Sequence, residues 1–368
     1  MADTADTELD YVHRLVELSL RGLGTMFDAQ AQLFCYRRMR VAGEGLVNEG
    51  VSLRYTLITL LGLHRLQSTG RSIPFDIRKI ILPVMTGVLK PDNLGDVGLF
   101  LWFVAQAMPQ RLKDLLPSLA LDTICERYAD GRQHKTMELS WLLTGLSYAA
   151  ESSPEIKHMV EFPSRAAYEL IKKNYGGKGI FAHSGSRSIV QRIRRRMGSF
   201  ADQVYPAYAF AAYCRAFGAP DAGDIALTCC KKLCDLQGPL GQWWWHYDAV
   251  SGRVAGRYPV FSVHQEGMAP MALFAVGKLT ENDFAGNIYR GLHWNDRGNE
   301  LQFDMVDWKE NIIRRSIFRP RLAERIEEFL ALAGREPRRK RYRDLRILFE
   351  GRPYCLGWLL YAFSTTGR

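Results

Sequence analysis

Six segments of the chain are apolar almost all the way round: residues 53–66, 97–108, 137–150, 204–217, 267–279 and 354–364. A helix with that pattern is one enclosed by other helices. Between them run segments with one polar face, at 11–23, 75–89, 109–128, 154–173, 221–236 and 318–332. In the third of these, Leu112, Leu115, Leu116, Leu119 and Ile124 share a side, as on a helix that covers the outside of a larger core. Ser153, Pro154 and Glu155 supply a capping hydroxyl, a preset φ and a charge suited to the helix dipole; Thr280 with Glu281 repeats part of that signal. One exposed plus one buried helix recurs roughly every 40 to 60 residues, and such units bury their apolar faces only by stacking on neighbours. Uneven spacing and the scarcity of polar surface on the buried helices favour a closed ring over an open solenoid. The expected fold is all-α, an (α/α)6 toroid of alternating outer and inner helices.

No composition seam or long polar linker divides the 368 residues, which predicts a single domain over 1–368 with residues 1–8 as a flexible tail. The acidic, polar start lacks the basic and apolar regions of a signal peptide. The longest apolar runs, such as 99–105 and 358–363, fall short of the ~20 residues that a bilayer-spanning helix needs. Seven cysteines, odd in number and without CxxC spacing, argue against a disulfide framework and fit a reducing, cytoplasmic setting. Cys229, Cys230 and Cys234 cluster on an amphipathic segment, where core packing explains them better than metal binding.

Residues 243–271 carry the densest chemistry. Trp243, Trp244, Trp245, His246, Tyr247 and Asp248 set large flat surfaces beside titratable groups, a combination suited to stacking on a sugar ring or shielding a carbocation. Three consecutive indoles cannot all face one core, so the run as a whole is expected to serve a ligand. Gln237, Gly241 and Trp243 stand in the order Gln-x3-Gly-x-Trp, which resembles the QW motif of terpenoid cyclases. With its alternating helices, the chain resembles the α/α-toroid group: terpenoid cyclases, protein prenyltransferase β subunits and, with a similar ring, six-hairpin glycosidases, lyases and epimerases. The resemblance implies a fold and a central cavity and names no substrate. The chain has no Asp-Asp pair, so the Asp-x-Asp-Asp and Asp-Asp-x-x-Asp motifs of the cyclases are missing, and Cys355 and His264 do not complete a prenyltransferase zinc triad.

In a ring of this kind the starts of the buried helices face one mouth. Polar groups at those positions are Glu49 and Arg54, then Asp96, then His134 and Glu138, then Asp202, Gln203 and Tyr205, then His264, Gln265 and Glu266, and finally Arg352 and Tyr354. Capping accounts for Asp96 and Glu138 taken singly; it accounts poorly for His264 and Tyr205. Hydrolysis of a glycoside needs two carboxyl groups flanking the bond, for which Asp248 and Glu266 are the leading pair. Elimination or epimerisation beside a uronic carboxylate needs a base, from His264 or Tyr205, and a cation, from Arg54. The candidate catalytic residues are therefore Asp248, Glu266, His264, Tyr205 and Glu138. The candidate binding residues are Trp243, Trp244, Trp245, His246, Arg54, Asp96, Asp202, Gln265 and Tyr354.

A formal charge of +10, concentrated in stretches 187–196 and 335–346, suits an anionic glycan, a diphosphate-linked lipid or the anionic face of a membrane. The basic runs lack interleaved aromatics, which argues against nucleic acid. Gly176, Gly177 and Gly179 suggest a mobile loop without the Gly-Lys-Ser or Gly-Lys-Thr of a phosphate loop. The favoured function is a carbohydrate-active enzyme on an anionic oligo- or polysaccharide. A terpenoid or prenyl-transfer enzyme would instead need a dry, aromatic cavity with a diphosphate site, and a non-catalytic scaffold a filled ring centre. No metal or organic cofactor is required by any residue pattern.

Overall fold

The computed structural model of the protein describes residues 2–91, 93–119, 121, 135–184, 196–320 and 342–365. Outer and inner helices alternate along it: outer α1 (Ala2–Met26), inner α2 (Leu53–Gln67), outer α3 (Ile77–Met85) and inner α4 (Leu94–Ala107). Inner α5 (Thr136–Ser152), outer α6 (Lys157–Lys172), inner α7 (Ala201–Phe217) and outer α8 (Pro220–Leu236) follow. Inner α9 (Ala269–Thr280), outer α10 (Ala285–Asn295) and inner α11 (Pro353–Phe363) complete the series. Each inner helix packs on the next, and α11 returns to α2, which closes the ring. Before α5 the described residues of the outer position form short helical turns, Pro109–Arg111, Leu112–Leu115 and Leu116–Leu119. The remainder of 109–128 lies almost wholly outside the described residues, as does most of 318–332.

Caps fix the inner helix starts. Ser52 accepts from Tyr55 N at 3.3 Å and Asn93 from Asp96 N at 3.1 Å, each relieving an orphan first-turn donor. Two sequence-based starts read differently here. Ser153 makes no side-chain cap bond. Thr280 closes α9 rather than opening a helix, because Glu281 takes a left-handed φ of 55° and ends it. Helix α1 already covers residues 2–8, the segment expected as a tail. Helix α10 escapes the sequence pattern, since Gly286, Asn287, Gly291 and Asn295 dilute its apolar stripe.

The tightest crossing joins α4 to α5. A Cβ on Gly98 would sit 2.3 Å from Leu142 N, and one on Gly145 2.4 Å from Gly98 O, so the two backbones touch. At its waist the ring is filled by Trp102 and Trp358, both fully buried, with ring centroids 5.6 Å apart. Truncating a tryptophan in such a place costs about 3–5 kcal/mol. This plug separates the two ends of the toroid.

The ends differ because the long connections, from outer to inner helices, all lie at the inner N-termini. They carry β1 (Phe27–Asp28), β2 (Leu33–Val41) and β3 (Gly45–Val51) before α2, and β4 (Met197–Ser199) before α7. Before α9 come β5 (His246–Asp248), β6 (Arg253–Gly256) and β7 (Val260–Phe261). Before α11 come β8 (Val306–Asp307), β9 (Ile312–Ile313), β10 (Ser316–Phe318), β11 (Arg346–Leu348) and β12 (Glu350–Gly351). All pair antiparallel, β12 with β2, β5 between β4 and β6, and β10 between β7 and β11. The toroid is thus all-α in its ring, and the strands stiffen one mouth. Among the described residues no helix is long and apolar enough to cross a membrane.

Candidate active site

A cavity of about 200 Å³ opens at the inner N-termini. Arg54, Tyr55 and Ile58 of α2, Met137 and Trp141 of α5, Tyr205 of α7 and Tyr354 of α11 form one part of its wall. Trp245, Phe261, His264, Met268 and Arg315 form the other. Of the sequence-derived candidates, Arg54, Tyr205, Trp245, His264 and Tyr354 therefore meet at one cavity, as the ring geometry requires.

The fifth inner helix begins with a π turn, His264–Met268. Pro270 has no N–H to give the Glu266 carbonyl, and the Ala269 N–H reaches back to His264 O, so the turn widens. His264 and Met268 then face the cavity while Gln265 and Glu266 face the core. His264 stacks on Trp245 at 6.0 Å and 11°, with Phe261 at 5.2 Å, and its Nδ1 has no protein partner. Burial pushes its pKa down to about 3, so it is a neutral imidazole rather than a base poised near neutrality. Burial likewise drives the Tyr205 phenol far above its ordinary range, so it keeps its proton. These directions weaken the elimination chemistry expected of both residues and leave them as hydrogen-bonding groups.

The leading carboxylate pair is corrected. Glu266 is fully buried, takes a 2.6 Å hydrogen bond from Asn295 Nδ2, and is raised well above an ordinary glutamate by desolvation: a neutral acid of the core. Asp248 closes β5 under a two-bond grip from Arg196, at 2.7 and 3.2 Å. Burial opposes its charge, yet the bonds from Arg196 and Ser251 outweigh that and hold its pKa below the usual value. Neither lines the cavity or bonds to a residue that does: Glu266 is tied to Asn295 and Asp248 to Arg196, which places both away from a bond held there. Gln265 is spent on Trp243 N and Phe261 O. Trp243 and Trp244 are buried packing residues, and only Trp245 of the three reaches the cavity. His246 lies in β5 opposite Ser199, beside Trp245. The QW-like segment is a clamp: Gln237 Nε2 donates to Gly241 O and Asn287 O, tying α8 to α10.

Two other carboxylates adjoin lining residues without lining the cavity themselves, Asp96 beside Arg54 and Glu138 next to Met137. Asp96 accepts from Arg54 at 2.6 Å and from Asn93 at 2.7 Å, and the Arg54 guanidinium lies 5.4 Å from the Trp141 ring. Glu138, in the first turn of α5, pairs with Lys135 at 3.1 Å; its Cγ would lie 3.2 Å from a Cβ on Gly95. The touching backbones of α4 and α5 thus bring Glu138 against Gly95, the residue before Asp96. Asp202 is buried and holds His183 Nδ1 at 2.9 Å, with Ser199 donating twice to the same oxygen. The segment carrying His183 is pinned to the start of α5 by Thr136 N and Oγ1.

His183 was not singled out by the sequence, which shows only a histidine in a Gly/Ser-rich connection. The Asp202 bond is the main cause that raises its pKa above 6.5, outweighing partial burial. The stability contributed by the pair is therefore fully present below pH 6.5 and is lost as pH rises through the higher, folded-state pKa. A histidine titration followed by NMR is expected to place the His183 midpoint above 6.5 and to bring it down in Asp202→Asn; a midpoint unmoved by that change would count against the pairing.

A third group was equally invisible. Glu350, buried beneath the rim, collects Arg37 at 3.4 Å, Arg352 at 2.8 Å and a very short bond from Arg315. Desolvation works against its charge, but Arg315 and Arg352 prevail and lower its pKa. Three guanidinium groups around one carboxylate give this side of the mouth a cationic excess. Tyr36 stacks on Tyr55 at 5.6 Å, and Tyr55 meets Tyr354 tilted by 33° at 4.5 Å, a series from the exposed Tyr36 to the cavity.

Several remaining expectations are settled by packing. Cys229 and Cys230 are core residues, and burial pushes the thiol of Cys234 up to about 12. Gly176, Gly177 and Gly179 form a tight turn in which a Gly176 Cβ would meet Ala249 O at 2.0 Å. Glu49 is exposed and pairs with Arg37. His134, residues 187–195 and residues 335–341 lie outside the described residues; Arg196 is committed to Asp248. Among the described residues no three His, Cys, Asp or Glu side chains are grouped as a metal site would need.

Fold and mouth together define an α/α toroid with a polar, aromatic cavity at the inner helix starts. Solved structures share this ring. A possible member of the GH105 family from Salmonella enterica is similar with a TM-score of 0.59 at 14% identity, over 97% of this chain and 93% of that one. An unsaturated glucuronyl hydrolase specific for heparin gives a TM-score of 0.60 at 12% identity, over 97% and 96%. The unsaturated glucuronyl hydrolase of Bacillus sp. GL1 gives 0.57 at 13% identity, over 97% and 99%. No protein-family model and no curated protein matches the sequence. At these identities the likeness establishes the six-hairpin toroid fold.

Proposed function

We propose that the chain is a carbohydrate-active enzyme that hydrolyses an anionic oligo- or polysaccharide at this mouth. The observation that carries the reading is the company kept by the cavity: stacking surfaces from Trp245, Phe261 and Tyr55, cations from Arg54 and Arg315, and Asp96 with Glu138 at the rim. Aromatic faces bind sugar rings and guanidinium groups bind carboxylates. Asp96 and Glu138 supply the two carboxyl groups that a hydrolytic pair needs, with Glu138 assigned to the leaving oxygen and Asp96 to its counterpart. His183 stands beside them as an imidazole held by Asp202. Similarity in fold to glucuronyl hydrolases supports the same substrate class by analogy alone. A scaffold would need a filled ring, and here a cavity of about 200 Å³ opens at the inner helix starts.

A thermal-unfolding screen tests the reading, because a ligand of the native state raises the midpoint. Uronate-containing oligosaccharides are expected to raise it, neutral oligosaccharides of equal length to raise it less, and prenyl diphosphates not at all. Trp245→Ala, a change on a partly buried wall, is expected to remove the shift. Stabilisation by prenyl diphosphates alone would transfer the site to isoprenoid chemistry.

A further inference from the structure

Beyond the waist plug lies a second cavity, of about 780 Å³, at the opposite end of the toroid. It is lined near the C-terminal ends of four inner helices, by Arg65 of α2, Tyr148 of α5, Tyr208 and Arg215 of α7, and Lys278 of α9, with Phe274 and Leu279 of α9 giving it an apolar wall. We infer that this second mouth is a binding site for an amphipathic oxyanion, a small molecule in which a carboxylate or phosphate is joined to an apolar body.

Two independent features point there. The first is charge without a counterpart. Arg215 is paired with Glu151 at 3.0 Å, but among the described residues no carboxylate lies within ion-pair distance of Arg65 or Lys278. The Arg65 guanidinium rests 4.4 Å from the centre of the Tyr361 ring and hydrogen-bonds to that side chain, which leaves the rest of its five N–H groups for another partner. Compensation of the helix dipole explains a basic residue in a last turn; it does not explain one held over an aromatic ring inside a cavity.

The second feature is a run of phenols. Tyr208 lies 2.7 Å from Tyr361 and 2.6 Å from Tyr148, oxygen to oxygen, and Gln106 Nε2 donates to Tyr361 at 3.1 Å. Each phenol has one proton. When donation runs from Tyr361 through Tyr208 to Tyr148, the Tyr148 proton has only a long 3.5 Å contact back to Tyr361, and Tyr148 lines the cavity. Burial keeps these phenols protonated, so they act as donors. A weakly engaged phenolic donor beside a guanidinium with no carboxylate partner suits an oxygen anion, and Phe274, Met271 and Leu279 suit an apolar body.

Isothermal titration with octanoate, phenyl phosphate, inorganic phosphate and octanol tests this. Octanoate or phenyl phosphate is expected to bind the wild type, and which of the two binds more tightly identifies the head group. Octanol and inorganic phosphate are expected to bind at least tenfold more weakly, as each lacks one half of the ligand. Arg65→Gln and the exposed Lys278→Gln are expected to weaken binding about tenfold, and Tyr148→Phe several-fold. Trp245→Ala, at the other mouth, is expected to leave binding unchanged, so this site and the glycan site fail separately. No binding of either amphipathic anion by the folded wild type, octanol binding as tightly as octanoate, or full affinity in both Arg65→Gln and Lys278→Gln would overturn the inference.

Discussion

Replacing Glu138 with Gln is expected to lower kcat about a thousandfold on the glycan substrate while the unfolding midpoint stays close to that of the parent. The amide keeps the size of the side chain and its bond to Lys135, but it cannot deliver a proton to a leaving oxygen. Asp96→Asn is expected to cost a similar factor and, by loosening Arg54, to raise KM as well. The contrast is Glu266→Gln, which is expected to leave kcat within about twofold. Its carboxyl is already neutral in the core, and the new amide can serve the unpartnered Asn295 Oδ1 as well as accept from Asn295 Nδ2. Steady-state kinetics of the three variants decide between the rim pair and the residues around the π turn. Full activity in Glu138→Gln would remove the rim pair.

The second large effect lies in the scaffold. Gly98→Ala is expected to destabilise the fold by about 3 kcal/mol, because its methyl group would meet backbone atoms of Leu142 at 2.3 to 2.5 Å, where nothing rotates away. Separating α4 from α5 also separates Asp96 from Glu138, so activity is expected to fall further than stability alone explains. Gly145→Ala acts at the same crossing, and the double variant is expected to cost less than the sum. Gly24→Ala gives the opposite sign: it sits in α1 with open space beside it, and helix propensity favours alanine by roughly 0.5–1 kcal/mol. Chemical unfolding of the four proteins measures all of this.

The ring was legible because burial is written in composition. Helices such as α4, with Val97 through Ala105 all enclosed, have no polar face to mislead, and their spacing alone implies closure. The mouth was half legible for the same reason, since residues at inner helix starts must converge; Arg54, Tyr205, His264 and Tyr354 do so. What sequence could not show was which way a residue points within a turn. Glu266 stands two residues from His264, and an α turn and a π turn send it in different directions; only the fold tells them apart. Nor could it show partners brought from far along the chain. Asp202 and His183 meet across a connection, and Glu350 gathers Arg37 from 313 positions away. Trp245 differs from Trp243 and Trp244 by tertiary position alone.

The most direct measurement is mass spectrometry of uronate-containing oligosaccharides incubated with the protein in heavy-oxygen water. The expected result is cleavage with one solvent oxygen in the products, absent in Glu138→Gln. Intact glycans in the presence of folded protein, or cleavage without solvent oxygen, would contradict a hydrolytic mouth.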